Sequence, residues 1–125
     1  MENRPISKIN LADKFSRIPE PWKPHIVAEV NDCYVKLGKF KDEFVWHHHE
    51  NEDELFLVVK GCFTMKLKSG DLHIKEGEMV VIPRGVEHMP VADHGEAHVM
   101  LIEPKTTLNT GNVKNERTLE RLERI

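Results

Sequence analysis

Apolar positions along this chain fall into short runs, alternating or continuous, broken at close intervals by turn residues, as in a β protein. Candidate strands are 25–30, 33–40, 44–49, 54–60, 62–68, 71–75, 79–82, 88–92 and 96–103. Between them stand Asn31-Asp32, Lys41-Asp42, Lys60-Gly61, Ser69-Gly70, Glu76-Gly77, Pro83-Arg84-Gly85 and Asp93-His94-Gly95, residue types that turns demand. Eight or nine strands in about 80 residues predict an all-β sandwich or barrel over 25–104.

The two ends read differently. Residues 1–24 form an N-terminal arm in which Asn10 is placed to cap a short helix from Leu11 to Ser16, with Leu11, Phe15 and Ile18 as its apolar stripe. Pro19, Pro21 and Pro24 then stop any helix around Trp22. The arm must pack its Trp and Phe on its own barrel or on a second subunit. In the tail, 105–125, Leu119, Leu122 and Ile125 recur at spacing three among charges, which predicts a short amphipathic C-terminal helix over Glu116–Ile125.

Composition narrows the classes. With 125 residues, 39% hydrophobic and 31% charged, the chain suits one soluble domain. Its net charge is −3, with bases and acids interspersed, so nothing draws nucleic acid or an anionic membrane surface. The longest apolar runs, Leu55–Val59 and Met79–Pro83, are strand-sized and too short to span a membrane. Met1–Pro5 lacks the apolar segment of a signal peptide. Cys33 and Cys62 have no CxxC spacing and read as buried free thiols in a reducing cytoplasm.

The chemistry concentrates in two stretches. On an extended segment 44–49, His47 and His49 share one face and His48 takes the other. Glu50–Asp53 is a polar connection, and Glu54 opens the next strand, so a hairpin would return Glu54 beside His49. Two imidazoles and a carboxylate suit Fe, Mn, Ni, Co or Zn; the alternative is a polar strand end exposed to water. In Gly77–His88 a strand runs into a turn shaped by Pro83 and Gly85, a rigid way to hold His88 as the fourth ligand.

These residues resemble the two cupin motifs. The first has HxH, Glu and Gly at His47, His49, Glu54 and Gly61; the second has Gly, Pro-x-Gly and His at Gly77, Pro83, Gly85 and His88. Lys41 stands where the first motif usually opens with Gly, and Ala92 replaces the Asn that ends the second. Asn31-Asp32 and Leu108-Asn109-Thr110-Gly111 look like a subgroup of small single-domain cupins called mannose-6-phosphate isomerase-like. The resemblance implies a jelly-roll barrel of two antiparallel sheets, commonly a homodimer. It also implies one divalent transition metal held by His47, His49, Glu54 and His88 in an open cavity, with two coordination positions left for water or a small-molecule ligand.

Other residues follow by phase. Phe56 and Val58 lie in phase with Glu54 and are expected to line the cavity, with Phe40 and Tyr34 as further candidates. His98 shares a face with Met100 and Ile102; if that face turns inward, His98 and Met100 line the cavity and His98 is an acid/base or substrate contact. The alternative is a hydrogen-bonded structural histidine. Arg84 could meet a substrate carboxylate or phosphate at the mouth, while His25, His73 and His94 read as surface. The functional expectation is a metal-dependent cupin acting on a small polar metabolite, such as a sugar or sugar-phosphate isomerase or epimerase. Its alternatives are a non-haem iron dioxygenase and a non-catalytic binding module.

Overall fold

A computed structural model describes residues 5–125. Its elements, in chain order, are α1 (Leu11–Ser16), β1 (His25–Val30), β2 (Cys33–Glu43), β3 (Glu54–Lys60), β4 (Cys62–Leu67), β5 (Gly70–Lys75), β6 (Met79–Ile82) and β7 (His88–Pro104). All named strand pairings are antiparallel. One path runs β1-β2-β7-β3-β6, and β4 joins β7 to β5.

The 17-residue β7 holds the barrel together. Its C-terminal part lies between β2 and β3, with Leu101 opposite Lys36 and Phe56. Its N-terminal part pairs with β4, Thr64 opposite Val91. The sequence reading splits this strand at Asp93-His94-Gly95; the structure keeps one strand and absorbs those residues in an irregularity, where Phe40 faces Ala97 but Asp42 faces Ala92. On β2, Asp42 there adopts φ 61, a conformation Asp tolerates better than most residues. Seven strands result among the described residues, not eight or nine.

Alternation along each strand sorts side chains between two cores. Phe40, Phe56, Val58, Phe63, Met65, Val99 and Leu101 fill the barrel interior. On the outer face, Phe15 and Ile18 of the arm bury against Leu37, with Val27, Val59 and Met100 beside them. The arm therefore packs on its own barrel. α1 covers the predicted span, and the Asn10 side chain accepts a hydrogen bond from the Asp13 amide at 2.9 Å.

The C-terminal helix does not form. Residues 116–125 run irregularly to a parallel bridge between Arg124 and Ile26. Ile26 donates to the Glu123 carbonyl at 2.9 Å, and Ile125 donates back to the Ile26 carbonyl at 3.0 Å. β1 is an edge strand, so its outer backbone groups need partners, and a helix of ten residues is too short to outcompete them. Of the expected apolar strip, Ile125 packs against the outer core.

Candidate metal centre

The segment carrying the two motif histidines is not a strand of the sheet. Residues 44–49 make one isolated bridge, at His47, and β3 takes β6 and β7 as partners, so the expected hairpin is absent. The His47 amide donates to the His88 carbonyl at 3.0 Å, and the His88 amide donates to the His47 carbonyl at 2.9 Å. The Gly85 amide donates to the His49 carbonyl at 2.8 Å. Gly85, at φ 82, makes the turn that brings this backbone alongside.

The four side chains then meet. One ligand atom from each of His47, His49, Glu54 and His88 lies within 4.8 Å of all the others, and all four residues are buried. Two of the rings are oriented from behind. The Nδ1–H groups of His47 and His88 each donate at 2.8 Å to a backbone carbonyl, Val45 and Val86 respectively, which turns the Nε2 lone pairs inward. Glu54 Oε1 stands 3.0 Å from His88 Nε2 and 2.8 Å from His49 Nε2. The latter contact lacks hydrogen-bond alignment, so His49 Nε2 is a buried nitrogen with no hydrogen-bond partner.

These residues fit a divalent transition metal. Ligand bonds of about 2.0–2.2 Å place donor atoms up to roughly 4.4 Å apart across an ion, close to the span seen. Three inward imidazoles and one carboxylate are a borderline donor set suited to first-row metals. Burial, then the neighbouring His88, pushes His47 down to about 4, so its ring is neutral and able to ligate at pH 7. Burial alone would raise Glu54, but its close neighbours Glu103, His49 and His88 together bring its carboxyl well below the usual range.

Glu103 was not anticipated. It is 3% exposed, beside Glu54, and its Oε1 accepts a 2.7 Å bond from the Nζ of Lys36, which is 1% exposed. Its Oε2 is buried without a hydrogen-bond partner. Burial and the adjacent Glu54 raise the Glu103 carboxyl well above the ordinary range, against the pull of Lys36. The signal was available: Glu103 continues the inward phase of Ala97, Val99 and Leu101 on β7.

A narrow cavity of about 40 Å³ is lined by His47, Glu54 and Glu103. Trp22, Phe40, Phe44, Phe56 and Leu101 wall it, and Asn109 reaches it from the tail. Trp22 stacks on Phe40 at 4.6 Å and on Phe44 at 4.8 Å, with its Nε1–H donating to the Lys41 carbonyl at 2.7 Å. Among the described residues, no Lys or Arg lines it.

Several sequence-based placements need correction. His98 and Met100 face the outer core: His98 stacks on Phe15 at 4.6 Å and pairs with Glu96 at 3.0 Å. The inward phase of β7 belongs to the odd-numbered residues from 97 to 103, so His98 is the structural histidine. Val58 shares the phase of Glu54 but is packed in the interior below the cavity lining. Tyr34 points elsewhere, under Lys105 and Arg124, and Arg84 pairs with Asp53 at 3.3 Å outside the cavity. His25 is buried, not surface. His48 turns away from the centre to Glu50 and Glu87, as expected. Cys33 and Cys62 are free but only half-buried.

A small antiparallel barrel with three histidines and a glutamate gathered in its mouth defines a β-barrel class able to hold one metal ion. The chain belongs to the cupin family: the cupin domain model, Cupin_2, matches residues 34–111. A cupin-2 domain containing protein from Shewanella frigidimarina NCIMB 400 is 44% identical with a TM-score of 0.75, over 78% of this chain and 94% of that one. The uncharacterized protein YdbB of Bacillus subtilis (strain 168) is 30% identical over 104 residues, 75% of this chain and 92% of YdbB. Two dioxygenases match over shorter stretches. Acireductone dioxygenase of Sulfurihydrogenibium sp. (strain YO3AOP1) is 36% identical over 42% of this chain and 29% of that protein. The 3-hydroxyanthranilate 3,4-dioxygenase of Xenopus tropicalis is 42% identical over 35% of this chain and 17% of that enzyme.

Proposed function

We propose that this cupin is a metal-dependent dioxygenase acting on a small, flat molecule that presents two neighbouring oxygen or nitrogen donors, such as an enediol, a catechol or an ortho-aminophenol. The observation that carries this reading is the cavity wall: five aromatic or aliphatic side chains face the ligand cluster, and no Lys or Arg among the described residues lines it with them. A sugar phosphate needs a counter-charge and many hydrogen-bonding partners, which favours the dioxygenase alternative over the isomerase one. Partial similarity to two dioxygenases supports the same choice.

His47, His49, Glu54 and His88 would hold the ion, and an iron(II) there would supply Lewis acidity and reactivity towards O₂. The chain's own contribution is positional. Trp22, Phe40 and Phe44 confine a flat body and exclude water from the reacting oxygens. Glu103, raised by burial and by Glu54 while Lys36 engages its Oε1, can take up a proton on Oε2 and hand it to an oxygen that gains charge.

The test is O₂ consumption by the anaerobically iron-loaded protein, challenged with catechols, ortho-aminophenols, enediols and sugar phosphates in parallel. Uptake with any of the first three and none with sugar phosphates is expected. Turnover or thermal stabilisation confined to sugar phosphates would reverse the choice.

A further inference from the structure

The segment bearing His47 and His49 has only one edge served by the barrel. His88 and Gly85 bond the backbone of His47 and His49, whereas the peptide groups of His48 point the opposite way, as alternation in an extended segment requires. Those two groups are met from the tail. The His48 amide donates to the Asn112 side-chain Oδ1 at 2.9 Å, and the Asn112 amide donates to the His48 carbonyl at 3.0 Å. One residue thus stands where a neighbouring strand would.

The approach is too close for a side chain at the preceding position. Gly111 has φ +55, and a Cβ there would lie 2.2 Å from the His48 carbonyl oxygen and 3.1 Å from His47 Cδ2. The tail is in turn tied down. Thr110 is fully buried and bonded through Oγ1 to Thr118 at 2.7 Å, and the Asn109 side chain takes the Leu119 amide and gives to the Arg117 carbonyl, each at 2.8 Å. Arg117 reaches back to the Glu43 carbonyl at 2.8 Å.

We infer that Gly111 and Asn112 are positioning residues of the metal centre: they fix the His48 peptide, and through it the aim of the imidazoles on either side. Metal affinity therefore depends on a tail segment that supplies no ligand. This rests on the centre binding a metal ion. Outer partners of ligands are typically worth 10–100-fold in affinity.

The experiment measures Zn(II) affinity of the full chain by competition with a chromophoric chelator, and the visible absorption of the Co(II) form, for wild type, Asn112→Ala, Asn112→Asp and Gly111→Ala. Asn112 is exposed, so its trimming leaves both cores untouched. Asn112→Ala should weaken Zn(II) about 10–100-fold and alter the Co(II) spectrum. Asn112→Asp, which keeps an acceptor for the His48 amide, should restore most of both, and Gly111→Ala should behave like the alanine variant or worse. Wild-type affinity and spectrum in Asn112→Ala, even with a lower metal-free melting temperature, overturn the inference, as does an equal loss in Asn112→Asp. A wild-type chain that takes up neither ion overturns the metal reading itself, and this inference with it.

Discussion

Replacing Lys36 by Met tests the least expected feature of the interior. The side chain keeps all but its terminal atom's length and loses its charge, so packing changes little while Glu103 forfeits the ammonium at 2.7 Å. Both partners are almost wholly shielded from water, at 1% and 3% exposure, and Glu54 remains beside the orphaned carboxyl. Removing one member of a buried pair costs about 3–5 kcal/mol. The lower end is expected, because burial and Glu54 already raise Glu103 and a proton can replace the lost ammonium. At about 3–5 °C per kcal/mol for a chain of this size, the melting temperature should fall by about 9–15 °C. A carboxyl raised in the folded state destabilises it above the unfolded pKa, and that penalty fades as pH falls, so the deficit should narrow on acidification. Urea unfolding of the metal-free protein, read for Lys36→Met, Glu103→Gln and the double variant, gives the magnitude and the coupling. The double variant should recover at least ~1.5 kcal/mol relative to additivity. A single variant within about 0.5 kcal/mol of wild type, or strict additivity, would refute a stabilising pair.

Three further outcomes follow from the same geometry. The His47→Ala, His88→Ala double variant should lose bound metal and metal-dependent thermal stabilisation, whereas His48→Ala should keep the ion; elemental analysis after dialysis decides, and full metal content in the double variant contradicts the assignment. His47 is depressed to about 4 against an unfolded value near 6.5, so the unfolded chain takes up its proton first. Metal-free stability should therefore fall as pH drops from 6.5 to 4, by about 3 kcal/mol, and His47→Gln should flatten that slope in denaturation series. Glu29 is lowered to about 2, first by its bond to Lys105 and then by Arg124, so its contribution is present above about 4.5 and lost towards pH 2. Glu29→Gln should remove that lower acid limb, and an unchanged acid profile would show that tethering the tail to β1 does not depend on this charge.

Much of the site was readable because metal chemistry leaves spaced, chemically distinctive residues. His47, His49, Glu54 and His88 were named from local order, and the structure brings them together. How they meet was less legible. A short β-forming run around Trp46 looks like a strand, but ladder partners are set by tertiary pairing, and β3 takes β6 and β7 instead. The phase of β7 at His98 stays open in the sequence because the odd-numbered positions combine small Ala97 with charged Glu103, which hides the inward stripe. The tail strip Leu119, Leu122 and Ile125 offers helical spacing, yet the open edge of β1 claims its backbone. Asn112 could not be found by pattern at all, since its partner is a peptide group 64 positions away.

The length of β7 bears on when this centre could take up an ion. Cys33 lies opposite Pro104 across 71 positions, and Leu55 opposite Ile102 across 47, so the pairings that erect the barrel are distant and slow to nucleate. An ion at this centre is therefore expected to bind after the polypeptide has collapsed rather than to guide the collapse. Zinc should consequently prolong the lifetime of the native state in stopped-flow unfolding while leaving the refolding rate unaltered, the behaviour of a latch set on a finished box.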